Sequence, residues 1–188
     1  MEQKHNDHAL GNVRKLKLEE LGRVGVDQFK QLEKLPVTIL VDNFRSGLNV
    51  GSVFRTSDAF LVEKVILCGI SSTPPHKKIL KTAIGANRSV EWEYVEDISE
   101  AVHSQKSMGY TIIGIEQTTA SKNLASYNID KERKYAIIFG NEVEGLSKKI
   151  LPMVDTFLEI PQFGTKHSLN VSVCAGIVIY QFALALST

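Results

Sequence analysis

The rhythm of apolar and polar residues changes at Pro36. Before it the chain is polar and charged, with apolar residues at roughly helical spacing over 13–21 and 26–35, which predicts two short helices closed by the proline. After it, short apolar runs rich in Val, Ile and Leu alternate with helical stretches. Runs at 37–41, 64–68, 90–94, 110–115, 135–139 and 156–160 predict six strands, and 50–60, 76–84, 98–108 and 169–186 predict helices. This alternation is that of an α/β layer structure with a mostly parallel sheet. It divides the chain into a short helical extension, 1–35, and one catalytic-sized domain, 36–188, with no internal repeat and no low-complexity linker.

In such a sheet ligands sit beyond the carboxyl ends of the strands, so three segments bear the chemistry. After the first strand, Asp42 to Ser46 form a polar turn, Asn49 is suited to cap the helix that follows, and Arg55 lies about 9 Å further along its axis. By itself this is equally a helix cap with a surface arginine. After the fifth strand, Phe139-Gly140-Asn141-Glu142-Val143-Glu144-Gly145-Leu146-Ser147 places a glycine where a ligand can approach the backbone. The spacing of Gly140, Gly145 and Ser147 nearly fits a phosphate-binding loop. Leu146 replaces the essential lysine, and Glu142 and Glu144 would repel a triphosphate, which excludes nucleotide hydrolysis. After the sixth strand, Ile160-Pro161 leads through Lys166 and His167 to Ser168-Leu169-Asn170, where Ser168 is suited to cap the last helix. No nucleophile elbow accompanies His167 and Ser168, so a hydrolase is disfavoured.

Bulk properties narrow the partners. The 188 residues carry 22 Lys and Arg against 21 Asp and Glu, a formal charge of +1, so a nucleic-acid site must come from local charge or from a surface shared by two subunits. His76, Lys77, Lys78 and Lys81, with Arg88 nearby, form the clearest basic cluster, and a solvated helix face is the competing reading. Cys68 and Cys174 have no C-x-x-C partner and sit in apolar surroundings, which fits buried thiols in a reducing cytoplasm and no metal. Met1 to Leu10 lack a signal-peptide core. The apolar run 171–186 is interrupted by Ser172 and Gln181 and is short for a bilayer, so a core or dimer helix, and no membrane, is expected.

Taken in order, the three segments resemble the motifs of the SpoU/TrmH branch of the SPOUT RNA methyltransferases: Asn49…Arg55, then F-G-N-E-x-x-G-L-S at 139–147, then I-P…S-L-N-V-S-V from Ile160 to Val173. The resemblance covers roughly 36–188. It implies a six-stranded α/β fold with a deep C-terminal trefoil knot, a homodimer, S-adenosylmethionine as cofactor, and methyl transfer to a ribose 2′-hydroxyl of tRNA or rRNA. It assigns Arg55, Asn49, Glu142, Ser168 and Asn170 to catalysis. Arg55 would stabilise the developing alkoxide, Asn49 would orient Arg55 or the substrate, and Glu142 would hold the geometry. It places the cofactor against Phe139, Gly140, Asn141, Glu142, Gly145, Ile160, Pro161, Ser168 and Leu169, with Gly114 and Glu116 from the loop after the fourth strand. RNA would meet Arg55, Lys166, His167 and the Lys77, Lys78, Lys81 cluster. Methylation of a base nitrogen, and a non-catalytic RNA-binding or ribosome-assembly protein on the same fold, are the alternatives.

Overall fold

The computed structural model describes residues 13–187; Met1 to Leu10, read above for targeting, lie outside them. The chain runs α1 (Val26–Gln31), β1 (Leu35–Asp42), α2 (Gly47–Ala59), β2 (Val62–Cys68), α3 (Lys77–Ala83), α4 (Ala86–Ser89), β3 (Glu91–Val95), α5 (Ile98–Ser107), β4 (Tyr110–Ile115), β5 (Lys122–Asn123), β6 (Lys134–Phe139), β7 (Thr156–Glu159) and α6 (Val171–Ser187). All strand pairs are parallel, in the order β3-β2-β1-β6-β4-β7-β5.

Among the described residues seven strands replace the expected six. The added β5 is two exposed residues paired to Leu158 and Glu159, too short to leave a hydrophobic pattern. Pro36 does not end the N-terminal segment but lies second in β1, where the pairing with β2 is irregular and a missing N–H is tolerated. Of the helix expected over 13–21 only a 3-10 turn at Leu18–Leu21 forms. The helix expected over 76–84 stops at Ala83, because Ile84 and Gly85 are left-handed, and α4 starts beyond them.

The inner strands β1, β6 and β4 are apolar on both faces, as buried parallel strands require. Alternate residues of one strand enter different cores. Ile39 and Val41 face α2 and α6 with Val53, Phe54, Val178 and Phe182. Leu40 faces α5 with Ile98, Val102 and Ile150. In register, Val41 pairs with Phe139, Phe139 with Ile115, and Ile115 with Leu158. The carboxyl ends of β1, β6, β4 and β7 therefore lie side by side, and all the loops singled out by sequence emerge from one edge of the sheet.

Candidate functional site

Side chains reaching between loops, rather than regular structure, hold this edge together. Asp42, fully buried at the end of β1, accepts from Ser147 N at 2.7 Å, Ser147 Oγ at 2.9 Å and Asn43 Nδ2 at 2.7 Å. Asn141 Nδ2 donates to Asn43 O at 2.6 Å, while its Oδ1 accepts from Val143 N and Glu144 N. Asn141 and Gly145 exchange both backbone hydrogen bonds, at 2.9 and 3.0 Å, which folds the segment after β6 into a tight loop. Glu116 Oε2 accepts from Leu146 N at 3.0 Å and ties that loop to the end of β4.

Glu142 links this loop to the start of α2. Its carboxylate accepts from Arg45 N at 2.8 Å, Ser46 N at 3.1 Å and Asn49 Nδ2 at 2.8 Å. Burial pushes the Glu142 carboxyl up, but these hydrogen bonds outweigh it and hold it below the usual carboxylate range. Asn49 is not the helix cap. Ser46 is, accepting from Asn49 N, which leaves the nearly buried Asn49 side chain for Glu142. Asn49 Oδ1 in turn accepts from Asn170 Nδ2 at 3.4 Å. Asn170, not Ser168, caps α6, its Oδ1 accepting from Ser172 N at 2.9 Å and Ser172 Oγ at 2.6 Å. Both ends of the Asn170 amide are thus committed, as is the Glu142 carboxylate.

Beside this string lies a cavity of about 440 Å³, within the range of about 300–1,000 Å³ usual for small-molecule sites. Among the residues expected to hold a cofactor, Glu116, Phe139, Gly140, Asn141, Glu142, Gly145, Ile160, Ser168 and Leu169 line it. Gly114 and Pro161 do not. Gly114 is interior to β4, where an added Cβ would come within 3.0 Å of Leu146 and Phe157, so it serves packing. The sequence reading missed Ile115, Gln117, Val143, Glu159, Gln162, Val171 and Cys174. Most flank a strand end or the first turn of α6, so taking every residue beside each strand end would have found them. The reason given for Gly140 also changes. A Cβ there would sit 2.2 Å from Gly145 C and 2.4 Å from Leu146 N, so its own loop, not a ligand, requires the glycine.

Arg55 is not at this cavity. It stands six residues beyond Asn49, about 240° around the helix and about 9 Å along it. It shares the outward stripe of α2 with Leu48 and Ala59, exposed and without a hydrogen-bond or ion-pair partner among the described residues. Lys77, Lys78 and Lys81 are exposed on α3, which is packed closely on α2: a Cβ at Gly51 would come within 2.4 Å of Ile79 O. Lys166 and His167 are exposed on the segment after β7, where His167 O accepts from Gln117 Nε2 at 2.8 Å. Among the described residues no cluster of His, Cys, Asp or Glu has the arrangement of a metal site, and no helix is long and apolar enough to cross a membrane.

The model of the SpoU rRNA Methylase family matches residues 36–180. An uncharacterized tRNA/rRNA methyltransferase of Synechocystis is 32% identical over 167 residues, covering 86% of this chain and 41% of its own length. This chain therefore spans about two fifths of that relative. Among solved structures, the A. aeolicus TrmH/SpoU tRNA modifying enzyme superposes with a TM-score of 0.76 at 23% identity, over 86% of this chain and 81% of its own. The AdoMet-bound rRNA methyltransferase of Sinorhizobium meliloti gives 0.75 at 20% identity, over 84% and 60%. At these identities the likeness is one of fold.

Proposed function

This chain belongs to the SpoU rRNA methylase family, and from that premise we propose that it transfers a methyl group from S-adenosylmethionine to a ribose 2′-hydroxyl of tRNA or rRNA. The observation that carries the reading is the Glu142–Asn49–Asn170 string at the edge of a cavity of cofactor size. The lining suits a nucleoside with a charged tail. Ile115, Ile160, Leu169 and Val171 offer apolar surface, and Glu116, Glu142 and Glu159 offer negative charge to a cation. When bound, S-adenosylmethionine supplies an electrophilic methyl on a sulfonium; the difficulty left to the protein is the weakly acidic hydroxyl.

For that hydroxyl the three-residue string is a positioning device. Glu142 accepts three hydrogen bonds with its pKa held down, so it is a poor base. Asn49 and Asn170 have their amides oriented by partners on both sides. Ser168 lines the cavity with no hydrogen-bond partner among the described residues, and we assign its hydroxyl to the substrate oxygen. Ser168 Oγ would hold the ribose O2′ toward a methyl that bound S-adenosylmethionine would supply, and the hydroxyl proton would leave to solvent.

Arg55 enters through a second copy of the chain. Val173, Ile177, Tyr180 and Leu184 form an exposed apolar row along α6, and Tyr180 meets the ring of Phe60 at the end of α2 at 5.6 Å. Such a row favours a homodimer. Pairing along these helices would bring the partner's α2 stripe, with its arginine, toward this cavity, where a guanidinium stabilises developing alkoxide charge. The knot expected in this family belongs to the same reading: β6 enters between β1 and β4, and α6 returns against α2.

The test is methylation of unmodified tRNA and rRNA with radiolabelled S-adenosylmethionine, followed by alkaline hydrolysis. Ribose methylation leaves the label in alkali-resistant dinucleotides. Label released as a methylated mononucleotide would place the methyl on a base and overturn the ribose assignment.

A further inference from the structure

The segment between β7 and α6 has a feature that neither the cavity nor the positioning string uses. Phe163 is 97% exposed, the most exposed large apolar side chain among the described residues. Its neighbours on both sides border the cavity. Gln162 before it and Ser168 after it line the cavity, and His167 O is held by Gln117 Nε2, another cavity residue. Gly164 beside it has no neighbouring atom within 4 Å of where a Cβ would stand, so the backbone next to the ring is open as well. Lys166 and His167 follow within four residues, both exposed and with side chains engaged in no hydrogen bond or ion pair among the described residues. Across the mouth, the loop after β6 presents Val143, 72% exposed and itself part of the lining.

We infer that Phe163 is a stacking platform for a nucleobase of the RNA substrate, with Lys166 and His167 meeting the adjoining phosphates. The inference rests on the RNA-methyl-transfer reading above and adds how the target nucleotide is held. An exposed aromatic face followed by a lysine and a histidine has the chemistry of single-stranded RNA recognition: the base covers the ring, and the ammonium and the imidazole N–H meet the backbone. A protein partner would cover the ring as well but would leave the Lys166 ammonium unanswered unless it were acidic; a nucleic acid supplies both the base and the phosphate. The position serves the reaction. A base held at Phe163 brings its own ribose, or the next one, toward Ser168 at the mouth. Stacking is indifferent to base identity, so Phe163 fixes the nucleotide's position, while discrimination between bases falls to other contacts.

The experiment uses the full chain, a single-stranded RNA oligonucleotide carrying 2-aminopurine, and bulk unmodified tRNA and rRNA as methyl acceptors. Stacking on Phe163 quenches 2-aminopurine. Phe163→Ala should abolish the quench and weaken RNA binding by about 5- to 150-fold, the range for loss of one base–aromatic stack. Phe163→Trp should retain both. S-adenosylmethionine affinity and sedimentation should be unchanged in both variants, and the loss of methyl transfer in Phe163→Ala should lie mainly in KM. Wild-type RNA affinity and transfer in Phe163→Ala would overturn the inference and spare the functional reading. A matching loss of cofactor affinity, or a change of oligomeric state, would overturn it too, because the ring would then cover the cofactor or a subunit interface. Quenching by wild-type protein, lost in Phe163→Ala but with no methyl transfer by either, would sink the methyltransferase reading and leave the contact standing.

Discussion

Glu142 Oε1 accepts a hydrogen bond from Asn49 Nδ2 at 2.8 Å, across 93 residues of chain. One carboxylate thereby fixes the loop after β6 to the first turn of α2, and through Asn49 Oδ1 reaches Asn170 at the start of α6. Three distant stretches of sequence become one edge of a cavity.

Glu142→Gln should loosen that edge. An amide cannot accept from Arg45 N, Ser46 N and Asn49 Nδ2 together, because its NH2 must face one of these donors. The expected loss is about 1–2 kcal/mol, toward the low side for a hydrogen-bonded ionised group because the carboxylate is only half buried. Urea denaturation would measure it, and methyl transfer should fall further than cofactor affinity. A fully stable, active variant would show that the string is dispensable.

The same carboxylate sets an acid limit. Its folded pKa lies below the ordinary 4.5, so the unfolded chain binds more protons through that interval. The stabilisation is complete above the unfolded value and is lost as pH falls through the folded one. Glu142→Gln should lack this part of the acid-side decline. Identical pH profiles of the denaturation midpoint for wild type and variant would exclude the linkage.

Gly140→Ala should destabilise the loop rather than simply block a ligand. Its Cβ would meet Gly145 backbone at 2.2 Å, and something must shift, at a cost of about 1–3 kcal/mol or more. Gly25→Ser is the matched control: it has open space, an extended backbone and an N-cap position, where serine is neutral or better. Thermal unfolding of the two variants should separate them by several degrees. Equal Tm values would remove the steric argument.

Mixed dimers test where Arg55 acts. Arg55→Ala and Asn170→Ala should each transfer methyl groups poorly. If each site takes Arg55 from one copy and Asn170 from the other, refolding the two together should restore about a quarter of wild-type activity, since half the dimers are mixed and each has one intact site. No recovery above the separate variants would place Arg55 in the same chain as the site it serves.

Cys174 lines the cavity, and burial pushes its thiol up to about 11, with Glu116 adding to the shift. Cys68 is buried at the end of β2 and pushed up to about 12, again chiefly by burial. Alkylation of both should be slow at neutral pH, because the thiolate is the nucleophile. S-adenosylhomocysteine should protect Cys174 further and leave Cys68 unchanged, which mass spectrometry of alkylated peptides would resolve. Equal protection of both would argue against the cavity as the cofactor site.

The sequence by itself determined the layer class and the edge of the sheet where the cavity lies. Runs such as Ile137-Ile138-Phe139 are apolar on every residue because a parallel strand is buried on both faces, and the polar, glycine-containing segments after them can only be loops. Asn49, Glu142 and Asn170 could be picked out because motif spacing survives in one dimension. Which atoms they satisfy was decided by tertiary structure. Asn49 and Ser168 each looked like a cap, but Ser46 and Asn170 hold those positions, since capping depends on where the helix begins and helix ends are weakly encoded. Two-residue β5 and the broken helix at Ile84 and Gly85 arise from pairing and backbone conformation without periodic signal. Gly140 and Gly145 were legible as glycines required by something, but only the folded loop shows that each faces neighbouring protein atoms. Arg55 marks the limit most clearly: spacing joins it to Asn49, while a 3.6-residue turn carries it to another face of α2, where only a further contact, from RNA or a second chain, can bring it into the chemistry.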